Sequence, residues 1–171
     1  CSSDLAVPTV TVLSPAKGAT TGGASVVITG TSLTGVTSVR FGGTNATSFT
    51  VNSNTQITAI APAGSAGTVD VVVANPVETS STSGTGNDFT YWAAPTVTAV
   101  SPNAGPIAGG TSVTLTGTNF DGVSSIYFDG VAAGTYTVNS TTSITARVPA
   151  HELPSLVDVR VTGVGGSLIM L

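Results

Sequence analysis

Charge is what this sequence has least of. Asp, Glu, Lys and Arg together make up 7% of its 171 residues, against roughly 25% in an ordinary globular domain. Only Lys17, Arg40, Arg147 and Arg160 are basic, and the net charge is −4. Nucleic-acid phosphates require several clustered cations, as does an anionic membrane surface. Four cations scattered along the chain exclude both as partners. Cysteine occurs once, at Cys1, so no disulfide can form within the chain. One cysteine and one histidine, His151, cannot build a zinc site. No apolar run approaches the roughly 18 residues of a membrane-crossing helix, and the tail Leu168-Ile169-Met170-Leu171 is only strand-sized. Nor does any segment carry the 3.6-residue period of an amphipathic helix.

What remains is hydroxyl-rich. Hydrophobic residues make up 40% of the chain, enough for a core, and the polar remainder is mostly Thr, Ser, Gly and Asn. Few charges are available to guard sheet edges. The pattern suits a secreted or surface-displayed β protein, or one whose edges are covered by neighbours. The first residue is Cys1 rather than Met, which suggests a processed product.

The chain repeats itself. Pro8-Thr9-Val10-Thr11 recurs as Pro95-Thr96-Val97-Thr98, Ser14-Pro15 as Ser101-Pro102, Gly22-Gly23 as Gly109-Gly110, and Thr29-Gly30-Thr31 as Thr116-Gly117-Thr118. From Pro8 to Pro62, 29 of 55 positions agree at a constant offset. A one-residue insertion then precedes Val69-Asp70-Val71, which recurs as Val157-Asp158-Val159. Each copy reads as short β-branched strands bounded by glycine or proline. Those expected are 25–30, 39–41, 56–60 and 68–73, with counterparts at 112–117, 126–128, 143–147 and 157–161. Gly42-Gly43 and Asp129-Gly130 are hairpin dipeptides. The Gly22-Gly23 and Gly109-Gly110 pairs suggest positive φ, and Gly30 and Gly117 a turn after the strand. About seven such strands per copy predict a sandwich.

These markers resemble the IPT/TIG family of immunoglobulin-like domains, found in plexins, some transcription factors and bacterial surface proteins. In the first copy they run from Pro8-Thr9-Val10 through Ser14-Pro15, Gly18, Gly22-Gly23, Val26 to Gly30 and Phe41-Gly42 to Pro62. In the second they run from Pro95 through Ser101-Pro102, Gly105, Gly109-Gly110, Val113 to Gly117, Asn119-Phe120 and Phe128-Asp129-Gly130 to Pro149. Asp88-Phe89-Thr90-Tyr91 is similar to the family's last strand. The resemblance implies an all-β fold of two consecutive immunoglobulin-like (IPT/TIG, E-set type) β-sandwich domains. The expected division is residues 1–7 as a tether or exchanged segment, 8–92 as the first domain, 93–94 as a linker and 95–171 as the second. Its end departs from the pattern: Leu168 to Leu171 replaces the final strand, or that strand is missing.

Residues able to do chemistry are sparse. His151, oriented by Glu152 or Asp158, has the residue types of a hydrolytic triad, but no nucleophile-elbow motif accompanies it. Asp121 and Asp129 read as turn acids. With Asn119 they offer oxygen ligands, but their spacing matches no calcium loop. The glycine pairs lack the Lys-Ser/Thr of a phosphate cradle. Asn45-Ala46-Thr47 and Asn139-Ser140-Thr141 fit the glycosylation sequon, relevant only in a eukaryotic source. No catalytic residue, metal ligand or cofactor is therefore expected. Tyr91 and Trp92 are the candidate aromatics, either for an interdomain hinge or for stacking on a ligand.

Cys1-Ser2-Ser3-Asp4 looks like the start of a mature bacterial lipoprotein, with Cys1 lipidated; an intermolecular disulfide is the other reading. The function expected is that of a non-catalytic extracellular spacer in a cell-surface protein. One alternative is a filament or coat subunit, in which residues 1–7 of one copy complete the second domain of the next. The other is an adhesion module binding glycan or protein. Partners would be other protein domains, copies of the chain or a cell-surface glycan.

Overall fold

A computed structural model describes residues 6–152 and 155–170. Cys1, and with it the lipid or disulfide reading, lies outside the described residues. The fold is all-β, and it divides into two compact units between Trp92 and Ala93.

The first unit holds nine strands: β1 (Thr9–Ser14), β2 (Lys17–Ala19), β3 (Ser25–Thr31), β4 (Ser38–Phe41), β5 (Thr44–Asn45), β6 (Ser48–Ser53), β7 (Gln56–Ile60), β8 (Gly67–Ala74) and β9 (Asp88–Trp92). One sheet has the order β1-β3-β7-β6 and the other β2-β9-β8-β4-β5. Alternation decides which side faces in. Val26 and Ile28 of β3, Ile57 and Ala59 of β7, Val39 and Phe41 of β4 and Val71 and Val73 of β8 are all buried. The residues between them, Val27, Thr58, Arg40 and Val72, face outward or stand half-buried.

The second unit repeats the plan with β10 (Thr96–Ser101), β11 (Ser112–Thr118), β12 (Val123–Phe128), β13 (Val131–Ala132), β14 (Tyr136–Ser140), β15 (Ser143–Arg147), β16 (Val159–Gly163) and β17 (Gly166–Met170). Its sheets are ordered β10-β11-β15-β14 and β13-β12-β16-β17. A single 3₁₀ turn, Phe120–Gly122, buries Phe120.

The glycine pairs behave as expected: Gly22, Gly23, Gly109 and Gly110 all have positive φ. So do Gly42, Asp129 and Gly130 in the tight hairpins. Two readings need correction. Gly30 and Gly117 lie within β3 and β11 rather than in a turn after them. The strand expected over 157–161 runs from Val159 to Gly163 instead. Its first two residues lie outside the ladder, whereas their counterparts Val69 and Asp70 pair with Phe89 and Asp88. The tail forms strand β17 over Gly166–Met170.

Candidate functional site

The place where the two copies differ most is the closing strand. In the first domain β9 pairs antiparallel with β8 over Gly67–Asp70 and parallel with β2. It drives two aromatic rings into the core at alternate positions. Phe89 meets Phe41 edge-on, with centroids 5.1 Å apart, and Tyr91 at 5.0 Å. The Tyr91 hydroxyl donates to the Pro62 carbonyl at 2.8 Å. Space is made by glycine: a Cβ at Gly18 would stand 2.9 Å from Phe89 Cζ, and one at Gly64 2.8 Å from Tyr91 Cε2. Tyr91 is thus a buried residue of the first domain's core. Trp92, half-buried at the end of β9, holds the Lys17 ammonium 5.1 Å from its ring centre.

Burial pushes the Tyr91 phenol above its ordinary value of 10.0, because desolvation disfavours the phenolate. A raised folded-state value means that the stabilisation is complete below pH 10 and is lost as pH climbs through that raised value. Alkaline unfolding of the first domain, followed by Trp92 fluorescence, should therefore set in above about pH 10. Tyr91→Phe should flatten that dependence while costing about 1 kcal/mol at neutral pH through the lost hydrogen bond. An identical alkaline profile in the variant would remove Tyr91 as its cause.

In the second domain the chain turns back through a two-residue hairpin. β17 pairs with β16 in the register Gly163↔Gly166 to Val159↔Met170. This places Met170 where Asn87, the residue before β9, stands in the first domain. Beyond Met170, Ser155–Asp158 pair with no strand among the described residues. Among the described residues no ring stands at this end of the sandwich where Phe89 and Tyr91 stand in the first domain. A groove of about 740 Å³ takes their place, lined by Val100, Gly105, Val113, Phe128, Pro149 and Val157 among others. These are the counterparts of Leu13, Gly18, Val26, Phe41, Pro62 and Val69. Leu13, Gly18 and Pro62 are buried, whereas Gly105 is exposed and Val100 and Pro149 are half-buried. At the groove's mouth Leu156 is 99% exposed and Ile107 52%.

The remaining candidates fall around this groove or on turns. His151 Nε2 lies 3.0 Å from Asp129 Oδ2, with both side chains partly exposed. The structure thus pairs His151 with Asp129, in the β12–β13 turn. Asn119 caps the 3₁₀ turn in a left-handed conformation, and its amide donates to the Ala94 carbonyl at 2.9 Å. Asp121 sits in that turn. Among the described residues no three His, Cys, Asp or Glu side chains gather as a metal site would require. The two sequons lie on β5 and its following residues and at the end of β14.

The model of the IPT/TIG domain matches residues 8–91 and again residues 95–170. None of the curated proteins matches the chain. Among solved structures it is similar to the full extracellular region of plexin A4, at 22% identity over 95% of this chain with a TM-score of 0.55. It is also similar to SGBP-B from a xyloglucan utilization locus in Bacteroides uniformis, at 23% identity over 95% of its length with a TM-score of 0.41. The Yersinia pseudotuberculosis adhesin InvE matches at 15% identity over 95% of the chain, with a TM-score of 0.38. The chain spans 15%, 48% and 57% of those three chains respectively. At such identities the likeness shows the fold alone.

Proposed function

Because the chain belongs to the IPT/TIG domain family, with two copies in tandem, we propose that it serves outside the cytoplasm as a non-catalytic structural or spacer module of a cell-surface protein. One observation carries this reading. The interior of each domain is an apolar cluster, and among the described residues no three His, Cys, Asp or Glu side chains gather. Among the described residues the one ion pair, His151 with Asp129, is partly exposed at 28% and 48%. Such a pair is worth little in water. The Thr- and Ser-lined faces with few charges fit an extended surface module. A helix long and apolar enough to cross a membrane is absent among the described residues; a lipid on Cys1 would supply the anchor.

Sedimentation velocity and negative-stain imaging of the purified chain test this. A spacer runs as a monomer at micromolar concentration, whereas long polymers would replace this reading with the filament one. A glycan array probes the adhesion alternative, for which half-buried Trp92 is the aromatic to change. A spacer gives no glycan signal, and a signal lost on Trp92→Ala would establish adhesion instead.

A further inference from the structure

We propose that the first domain is built to carry tension along the chain, and that β2 against β9 bears the load, with the Phe89 ring seated over Gly18 as the lock between them. The source of the load rests on the spacer reading; the resistance itself belongs to the first domain alone.

Strand direction decides how a load is shared. The chain enters this domain ahead of β1 and leaves it at the end of β9. Tension therefore draws the N-terminal side of β2 one way and the C-terminal end of β9 the other. The two strands are parallel, in the register Lys17↔Thr90, Gly18↔Tyr91 and Ala19↔Trp92. Parallel strands drawn from opposite ends slide along each other, and the hydrogen bonds between them are loaded together. Drawn from the same end they peel, and each bond breaks alone. One such bond is weak against water, so resistance comes from loading them at once. The Thr90 N–H donates to the Ala16 carbonyl and the Thr20 N–H to the Trp92 carbonyl, both at 3.0 Å. These bonds carry the contact past both ends of β2. β1 meets the load first but lies in the other sheet, and β2 is an edge strand whose neighbour in its sheet is β9.

Side chains add the lock. Phe89 is completely buried, and a Cβ at Gly18 would stand 2.9 Å from its Cζ, closer than packed carbon atoms approach. Under tension β9 is driven forward along β2. Alternation returns a side chain to the same face at every second residue. After two residues of travel Thr20 stands under the ring where Gly18 stood, and Thr20 has a Cβ. The strand cannot advance until Phe89 leaves the core, where Phe41 and Tyr91 hold it edge-on. The Lys17 ammonium over the Trp92 ring joins the same two strands, adding a smaller attraction.

Single-molecule force spectroscopy of the intact chain tests this. Cys1→Ser removes the native thiol, and paired cysteines then set the direction of pull. Ala6→Cys with Ala93→Cys draws β2 and β9 from opposite ends. Thr21→Cys, at an exposed position just past β2, with Ala93→Cys draws them from the same end. At equal pulling speed the mean unfolding force should be at least about twofold higher in the opposite-end geometry. Thr20→Pro deletes one N–H of the contact, and Phe89→Leu removes the lock. Each should bring the ratio of the two forces below about 1.5, because the barrier it lowers is crossed only by sliding. Equal forces in the two directions in the parent chain would overturn the proposal. A ratio unchanged by Thr20→Pro would remove the bonds as its cause, and one unchanged by Phe89→Leu would remove the lock. The spacer reading fails instead on polymers or a glycan signal, neither of which these forces register.

Discussion

Phe89→Ala is expected to destabilise the first domain by about 3–5 kcal/mol, the range for removing a fully buried aromatic ring. Phe89 is completely buried, and it bridges Phe41 of one strand and Tyr91 of its own through two edge-on contacts. Removing the ring leaves a cavity next to Gly18, which has no side chain with which to collapse into it. A domain of this size commonly holds about 5–15 kcal/mol in total, so the loss takes a large share. Trp92 is the only tryptophan and ends the same strand, which makes its fluorescence a direct reporter. With a urea dependence of about 1–3 kcal/mol/M, the midpoint should fall by one to several molar. A shift below about 0.5 M would mean that the closing strand is not a principal support of that core. The rest of that core is held by Val26, Ile28, Ile57, Val71 and Val73, all fully buried. The expected outcome is therefore a weakened first domain rather than a rearranged one.

Much of this architecture was legible because strand identity is local. Gln56-Ile57-Thr58-Ala59-Ile60 alternates apolar with hydroxyl or amide side chains, and it forms a strand over those five residues; Ser143 to Arg147 does likewise. Gly42-Gly43 and Asp129-Gly130 specified their hairpins because the positive φ at Gly42, Asp129 and Gly130 admits few residues. Pairing partners were less legible. Val157-Asp158 matches Val69-Asp70 in sequence, yet the first pair lies outside β16 and the second within β8. Whether such a dipeptide joins a ladder depends on a strand many residues away. The groove was hidden for a related reason. Its walls have the same residue types in both copies, and the residues that fill it in the first domain, Phe89 and Tyr91, follow the position that Met170 holds in the second. The departure of the tail from the repeat was the one signal available. Asp129 and His151 are 22 residues apart and carry no spacing motif, so their pairing emerged only from the way the turn and the loop after β15 come together.

Gly117→Ala and Gly30→Ala should each cost about 2–3 kcal/mol, near the top of the range for overpacking, even though neither glycine has a positive φ. The cause is a close approach between strands. β1 slips register between Val10 and Val12 against β3, and β10 does so between Val97 and Ala99 against β11. At those bulges the carbonyl oxygens of Thr9 and Thr96 occupy the space a Cβ would need at Gly30 and Gly117. At Gly117 the Phe120 ring crowds the same point, 2.6 Å away. A carbonyl oxygen cannot swing aside as a side-chain tip can, so relief requires the two strands to part. Parting them also pulls at the hydroxyl pairs Thr9–Thr31 and Thr96–Thr118, which sit at 2.8 and 2.7 Å. For domains of this length the change corresponds to roughly a 10–20 °C fall in Tm, measurable by circular dichroism. Gly134→Ala provides the contrast, because its Cβ would meet nothing within 4 Å. That variant should be neutral or gain up to about 1 kcal/mol by restricting the unfolded chain. If Gly117→Ala melted within a degree or two of the parent, the bulge would have to yield easily, and the recurrence of glycine at the same place in both copies would lose its physical reason.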